Sequence, residues 1–432
     1  MKNTLRTFSV VSLIIFGFNS YSQRYLSDLD SSLFIRDTMR PFLKRFGNLQ
    51  VTGYMQPQFQ VAQSKGVRSY EGGDFSAFSN NRFMLRRARV KFDYLLRSDD
   101  HFPNALFTFQ IDATERGVNV RDMFVRLYET KGHNFSFTGG LFARPFGFEV
   151  NLSSAYRETP ERGRMSQILM PTERDLGVMV SYEALDKSKK NKHIKFDAGL
   201  FNGQGLSGTT DFDSHKDFIS RLTVKPVQIN QLALSGGLSI LYGGWRVQNP
   251  VIYRMGNDVA GKTFIADSSA NNIGKIAPRR YQGSDVQLKI NHAWGATELR
   301  AEYWLGEQPG TANSTTNPGT IPTTPVYRRK FGGAFFYFLQ NIFNTKNQLL
   351  VKYDWYDPNR SVSEGEIGKA GTNLTTADIK YSTLGLGFLH YFNENIKIVL
   401  YYDLVRNEKT QLPGYTTDLK DDIFTCRLQY RF

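Results

Sequence analysis

From about Gly53 to the last residue the chain alternates apolar and polar side chains in short runs. Within 285–291, Val286, Leu288 and Ile290 take one face while Gln287 and Lys289 take the other. Within 297–305, Leu299, Ala301, Tyr303 and Leu305 oppose Glu298, Arg300, Glu302 and Trp304. Leu349, Val351, Tyr353 and Trp355 interleave with Lys352 and Asp354, and Ile396, Ile398, Leu400, Tyr402 and Leu404 with Lys397 and Asp403. Period two puts successive side chains on opposite faces of a strand, so each run has one apolar and one polar face. About sixteen such runs, roughly nine to thirteen residues each, have the length a tilted strand needs to cross a bilayer.

The links between runs alternate in length. Short polar links at 130–133, 187–192, 227–231, 293–295 and 393–394 are interleaved with long ones at 63–82, 144–175, 202–216, 244–283, 306–330, 358–380 and 407–420. Tight turns at one end and extended loops at the other are the pattern of a membrane-spanning barrel. A soluble sandwich shares the alternation but has no cause to segregate its loops. The final run places Phe424, Cys426, Leu428, Tyr430 and Phe432 on one face and Arg427, Gln429 and Arg431 on the other. A terminal aromatic closing an alternating strand resembles the carboxy-terminal signal of bacterial outer-membrane barrels. The expected fold is therefore all-β: a transmembrane antiparallel β-barrel of about sixteen strands over 49–432.

Composition excludes the main alternatives. Only 40% of residues are hydrophobic, and no run reaches the ~20 apolar residues of a spanning helix. Aromatics make up 14% and glycines number 37, which is too aromatic for a disordered chain. A single cysteine, Cys426, excludes an internal disulfide or a multi-cysteine metal site.

The start of the chain assigns the compartment. Lys2 and Arg6, an apolar stretch at 8–18 and Ser20-Tyr21-Ser22 form the three parts of a cleavable secretory signal peptide, 1–22. Residues 23–48, with Leu26, Leu29, Leu33, Met39, Leu43 and Phe46 near helical spacing, are expected to be a periplasmic segment or a poorly ordered terminus. Without Lys2 and Arg6 the formal charge falls from +14 to +12. An exported chain does not meet nucleic acid, so this excess points to an anionic solute or an acidic lipid surface.

Side chains turned into a barrel of this size set what passes. In the run 83–94, with Ala88, Val90, Phe92 and Tyr94 towards lipid, Arg87, Arg89, Lys91 and Asp93 line the interior and Arg86 falls on the outer face. A row of cations offers successive shallow sites to an anion. The loop 144–175 holds Arg144, Arg157, Arg162, Arg164 and Arg174 against Glu149, Glu158, Glu161, Glu173 and Asp175, a balance that predicts a salt-bridged, folded constriction. A loop of about thirty residues is long enough to enter the lumen, and loops of that length usually carry function.

The segments FMLRRARVKF at 83–92, GGLFARPFGFEVNLSS at 139–154, Glu161-Arg162, Phe201-Asn202-Gly203 and Ser220-Arg221-Leu222 together resemble the phosphate-selective porin O and P family. The resemblance implies a trimeric, sixteen-stranded outer-membrane porin with arginines, lysines, serines and an aspartate at an inward-folded third loop. Position by position, it implies roles for Arg87, for Ser153 and Ser154, and for Arg162. The constriction aspartate matches either Asp112 or Asp122. The family's lysine before the paired serines has no counterpart here, where Glu149, Val150, Asn151 and Leu152 precede them.

The expected function is a passive channel for small anions, phosphate among them, lined by Arg87, Arg89, Lys91, Arg144, Ser153, Ser154, Arg162 and Asp112. The expected setting is the bacterial outer membrane, in contact with its lipid, as a homotrimer without a cofactor. The alternatives are a weakly selective diffusion pore and a binding barrel occluded by its loops. An enzyme is not expected: His101, His133, His193, His215, His292 and His390 are scattered, and no serine stands in a nucleophile motif.

Overall fold

The computed structural model describes residues 47–97, 102–186, 188–208 and 210–432. The expected signal peptide and all of 23–46 lie outside the described residues.

The strands on the first half are β1 (Leu49–Ala62), β2 (Asn81–Arg97), β3 (Pro103–Thr114), β4 (Gly117–Tyr128), β5 (Phe135–Ala143), β6 (Arg174–Glu183), β7 (Ile194–Phe201), β8 (Asp217–Ile229) and β9 (Leu232–Arg246). A hairpin, β10 (Val251–Asp258) and β11 (Gly261–Ser268), comes next. The second half holds β12 (Ile276–His292), β13 (Gly295–Gly310), β14 (Val326–Ile342), β15 (Asn344–Asp357), β16 (Tyr381–Tyr391), β17 (Ile396–Asn407) and β18 (Ile423–Arg431). One α-helix, α1 (Arg164–Leu169), lies in the loop between β5 and β6.

Each barrel strand pairs antiparallel with the next, β9 pairs directly with β12, and β18 returns to β1. The result is a closed barrel of sixteen strands among the described residues. Closure leaves no unpaired strand edge, which a bilayer interior would penalise. At the seam Gly53 and Phe432 exchange backbone hydrogen bonds at 3.0 and 2.9 Å.

The alternation sorts the two faces. Along β13, Glu298, Arg300, Glu302 and Trp304 are buried inside, while Leu299 on the outer face is 43% exposed. The same outward exposure recurs at Phe107, Val125, Phe137, Val178, Leu238, Tyr353 and Leu428. An uninterrupted apolar belt of this kind suits lipid. Exposed Trp294, Phe343, Phe392, Tyr430 and Phe432 gather at the short-turn end, where an aromatic girdle meets the membrane interface.

Three features depart from the expected pattern. The link between β3 and β4, on the long-loop side, is only Glu115-Arg116. Strands β2, β12 and β14 reach 17 residues, longer than expected. The region read as the loop 244–283 contains the hairpin β10–β11, whose first strand pairs parallel with β14 at Ile252, Tyr253 and Arg254. Phe264, Tyr327, Ile367, Leu374 and Ile379 form an apolar cluster beneath these loops, so the external side has a core of its own.

Candidate functional site

The third external loop, residues 144–173, turns into the barrel at Gly147. That residue has φ +71°, and a Cβ there would lie 2.4 Å from Glu302 Oε1. Only glycine takes this conformation without strain in so close a space. Glu302 accepts the next two backbone N–H groups, from Phe148 at 2.9 Å and Glu149 at 2.8 Å, and the Trp304 indole N–H at 2.6 Å. A carboxylate from β13 therefore takes up the donors that the turn exposes.

The loop packs against the interior in two ways. Its apolar residues Phe146, Val150, Met165, Ile168, Leu169 and Met170 meet Phe142, Met179, Phe201, Ile219, Leu241, Tyr281, Trp304, Phe331 and Tyr356 from the wall. Phe146 stands edge-on to Trp304 with ring centroids 4.7 Å apart. The polar residues reach the remaining wall. Glu149 accepts from Tyr337 Oη at 2.8 Å, Ser166 Oγ at 2.5 Å and Gly163 N at 2.9 Å. Glu158 forms a two-pronged pair with Arg300 at 2.8 and 3.0 Å, and Lys397 Nζ donates to the Arg157 carbonyl at 2.9 Å.

The densest contacts surround two loop glutamates. Glu161 receives Arg86 at 2.8 Å, Arg87 at 2.6 Å and Arg427 at 2.9 Å, with Arg157 at 3.8 Å. Glu173 receives Arg121 at 2.5 Å, Arg162 at 3.2 Å and Arg174 at 2.5 Å. Arg174 also pairs with Asp122 at 3.0 Å, and Arg89 with Asp112 at 2.8 Å. Burial opposes ionisation of both glutamates, yet the surrounding guanidiniums hold each well below the usual carboxylate range. Eight arginines (86, 87, 89, 121, 157, 162, 174 and 427) thus face four carboxylates (Asp112, Asp122, Glu161 and Glu173).

Two of these arginines reach the interior through β-bulges. Between β1 and β2, Gln56 pairs with Arg87 and Pro57 with Leu85, so Arg86 is the extra residue. Between β3 and β4, Gln110 pairs with Asp122 and Ile111 with Val120, which leaves Arg121 extra. A bulge bends the strand and re-aims a side chain. The expectation that Arg86 lies on the outer face is corrected accordingly: it points inward with Arg87.

The expected site residues divide into two groups. Arg87, Arg89, Asp112, Ser154 and Arg162 come together around the loop. Ser154 Oγ meets Tyr54 Oη at 2.6 Å and Arg89 Nη1 at 3.3 Å, and its carbonyl accepts from Gln56 Nε2 at 2.8 Å. The others stand apart. Lys91 pairs with Asp93 at 2.7 Å nearer the short-turn end. Arg144 is buried at the root of the loop and donates to the Thr172 carbonyl. Ser153 is exposed, its carbonyl closing a turn onto Tyr156 N at 3.0 Å. Of the two candidate aspartates, Asp112 holds Arg89 and Asp122 holds Arg174. Sequence reasoning missed Arg86, Arg121 and Arg427 as loop anchors. Arg427 was visible on the polar face of the last strand, and the adjacent charges Arg86-Arg87 and Arg121-Asp122 are the signal of a bulge in an alternating strand.

At the level of this loop the inward side chains are buried all around the barrel. Gln58, Arg87, Gln110, Thr138, Ser239, Arg300, Tyr337, Lys352, Tyr401 and Arg427 are all buried. The loop packs against the inner wall here. Among the described residues no group of three or more histidine, cysteine, aspartate or glutamate side chains is arranged to hold a metal ion.

No protein-family model matches the sequence, and none of the curated proteins matches it. Solved structures do match in fold. The chain is similar to OprB of Pseudomonas putida over 89% of its own length and 94% of that protein, at 9% identity and a TM-score of 0.57. It is similar to an anion-selective porin from Comamonas acidovorans over 89% and 99%, at 10% identity and a TM-score of 0.54. The outer-membrane channel DcaP of Acinetobacter baumannii matches over 89% and 97%, at 12% identity and a TM-score of 0.53. The barrel has the fold of the outer-membrane porins.

Proposed function

We propose that the chain is a passive channel of the bacterial outer membrane for small anionic solutes, phosphate among them, exported by a cleaved signal peptide and assembled as a homotrimer. The observation that carries this reading is the cluster at Glu161 and Glu173, where eight arginines meet four carboxylates. Guanidiniums suit oxyanions because their N–H groups pair with two oxygens at once. An excess of fixed positive charge in a narrow passage raises the local concentration of anions. Arg87, Arg89 and Arg162 at the loop, with Lys91 below, would form the path, Ser154 and Asp112 orienting Arg89. The apolar outer belt and the basic balance of the chain support the setting.

A second reading, a barrel occluded by its loop, is favoured by the burial of the lumen side chains. Planar-bilayer conductance of the refolded protein across a KCl gradient separates the two. A chloride-favouring reversal potential, with current blocked as phosphate is titrated in, supports the channel. A cation-favouring potential rejects anion preference, and a silent membrane favours occlusion.

A further inference from the structure

Beside the arginine cluster, which shares Arg162 with it, a cavity of about 30 Å³ lies between the loops and the wall made by β15 to β18. Its charged lining is Arg68 and Glu71 from the first long loop, Arg162 and Arg164 from the third external loop, Lys352, Asp354 and Asp403 from the wall, and Asp421 from the last loop. Charges of both signs meet there, and several lack a partner. Asp403 Oδ2 and Asp421 Oδ1 are buried without a hydrogen-bond partner, in residues only 3% and 8% exposed. Glu71 Oε2 and Arg162 Nη1 are buried and unpartnered as well. Buried polar atoms left unmatched are costly, and such atoms on one cavity wall mark the place of something that matches them.

The unmatched atoms describe their complement. Three are carboxylate oxygens, which call for a donor carrying positive charge; one is a guanidinium nitrogen, which calls for an acceptor carrying negative charge. Asp354 is already engaged, at 3.2 Å from Lys352, so it adds little to the demand. At its edge Arg164 lies over the ring of Tyr381 at 3.7 Å and that of Tyr70 at 4.7 Å. The volume suits an ammonium group and a water, and leaves the rest of a ligand at the open side. We propose that this cavity is a binding site for a small zwitterion of the α-amino acid class. Its ammonium group sits between Asp403 and Asp421, and its carboxylate takes the free Nη1 of Arg162. The site does not depend on conduction through the barrel, so its test needs no current.

Isothermal titration of the refolded full-length protein with glycine, methylammonium and acetate tests the assignment. Glycine is expected to bind at least tenfold more tightly than either single-charge probe, a comparison that needs no variant. Asp421→Asn and, as a second variant, Asp403→Asn are each expected to weaken glycine at least tenfold, with heat-modifiable gel mobility verifying the fold. Absence of glycine binding, equal binding of methylammonium or acetate, or glycine affinity unchanged in both variants would each overturn it.

Discussion

Arg86 meets Glu161 at 2.8 Å from a position that simple alternation along β2 assigns to the lipid face. Arg121 repeats the relationship on β4, reaching Glu173 at 2.5 Å from the second bulge. Each bulge supplies one of the two loop glutamates with an additional guanidinium. The third loop is thereby tied to the wall at two points along its length.

Removing Glu161 should release this tie. Glu161→Ala leaves the buried Arg87 and Arg427, and the partly exposed Arg86, without their common carboxylate, and breaking a buried pair in this way costs about 3–5 kcal/mol. Limited trypsin digestion is expected to cut the variant within 157–164 faster than the wild type, with a larger conductance per channel. Equal digestion rates would mean that the loop is held elsewhere.

Gly147→Ala places a methyl group where Glu302 and Trp304 stand and forces φ +71° on an L residue. Strain of this kind costs on the order of 1–3 kcal/mol. The temperature at which the folded band disappears on a gel is expected to fall. An unchanged temperature would show that the turn can relax around the added carbon.

Trp304 is fully buried on the wall, where Phe146 of the loop packs against it. Trp304→Ala removes that packing and leaves the indole volume empty, a loss of about 3–5 kcal/mol. Urea titration in detergent should show the midpoint moving to lower concentration, whereas Phe78→Ala, at an exposed ring, should leave it in place.

Stability should pass through a maximum near mildly acidic pH. Burial, with Glu161 nearby, pushes Glu71 up to about 7, and burial raises Asp421 to about 6. Raised carboxyls favour the fold while protonated, so their contribution is present below the ordinary carboxylate range and lost as pH rises through these values. Glu161 and Glu173 are depressed, so theirs is present above the ordinary range and lost as pH falls through the lowered values. Thermal unfolding between acid and alkaline buffers should trace both limbs, and Glu71→Gln should flatten the alkaline one. A steady rise of stability to alkaline pH would contradict the assignment.

Much of this architecture was legible because a barrel wall imposes parity on its strands. The faces of β13, β15, β17 and β18 follow directly from the alternation of Glu298 to Trp304, Lys352 to Trp355, Ile396 to Leu404 and Phe424 to Phe432. Parity fails where one residue is inserted, so Arg86 and Arg121 escaped it. It was also silent on the packed interior: β5 to β9 carry apolar residues such as Phe142, Phe201, Ile219 and Leu241 on the inner face as well. Nothing in the runs of β3 and β4 marks Glu115-Arg116 as a tight link on the side of the long loops. The hairpin inside 244–283 was hidden because its two strands are short and lie among turn-forming residues.

The hairpin β10–β11 has a consequence for how the surface of this protein can be changed. Val259 at its tip is fully exposed, while its base is secured to β14 at Ile252, Tyr253 and Arg254. Exposed tips on an anchored stem accept inserted sequence with little effect on the body that carries them. A peptide spliced after Val259 would be carried clear of the barrel wall on a stalk that is not one of its staves, making this hairpin a natural platform for grafted epitopes.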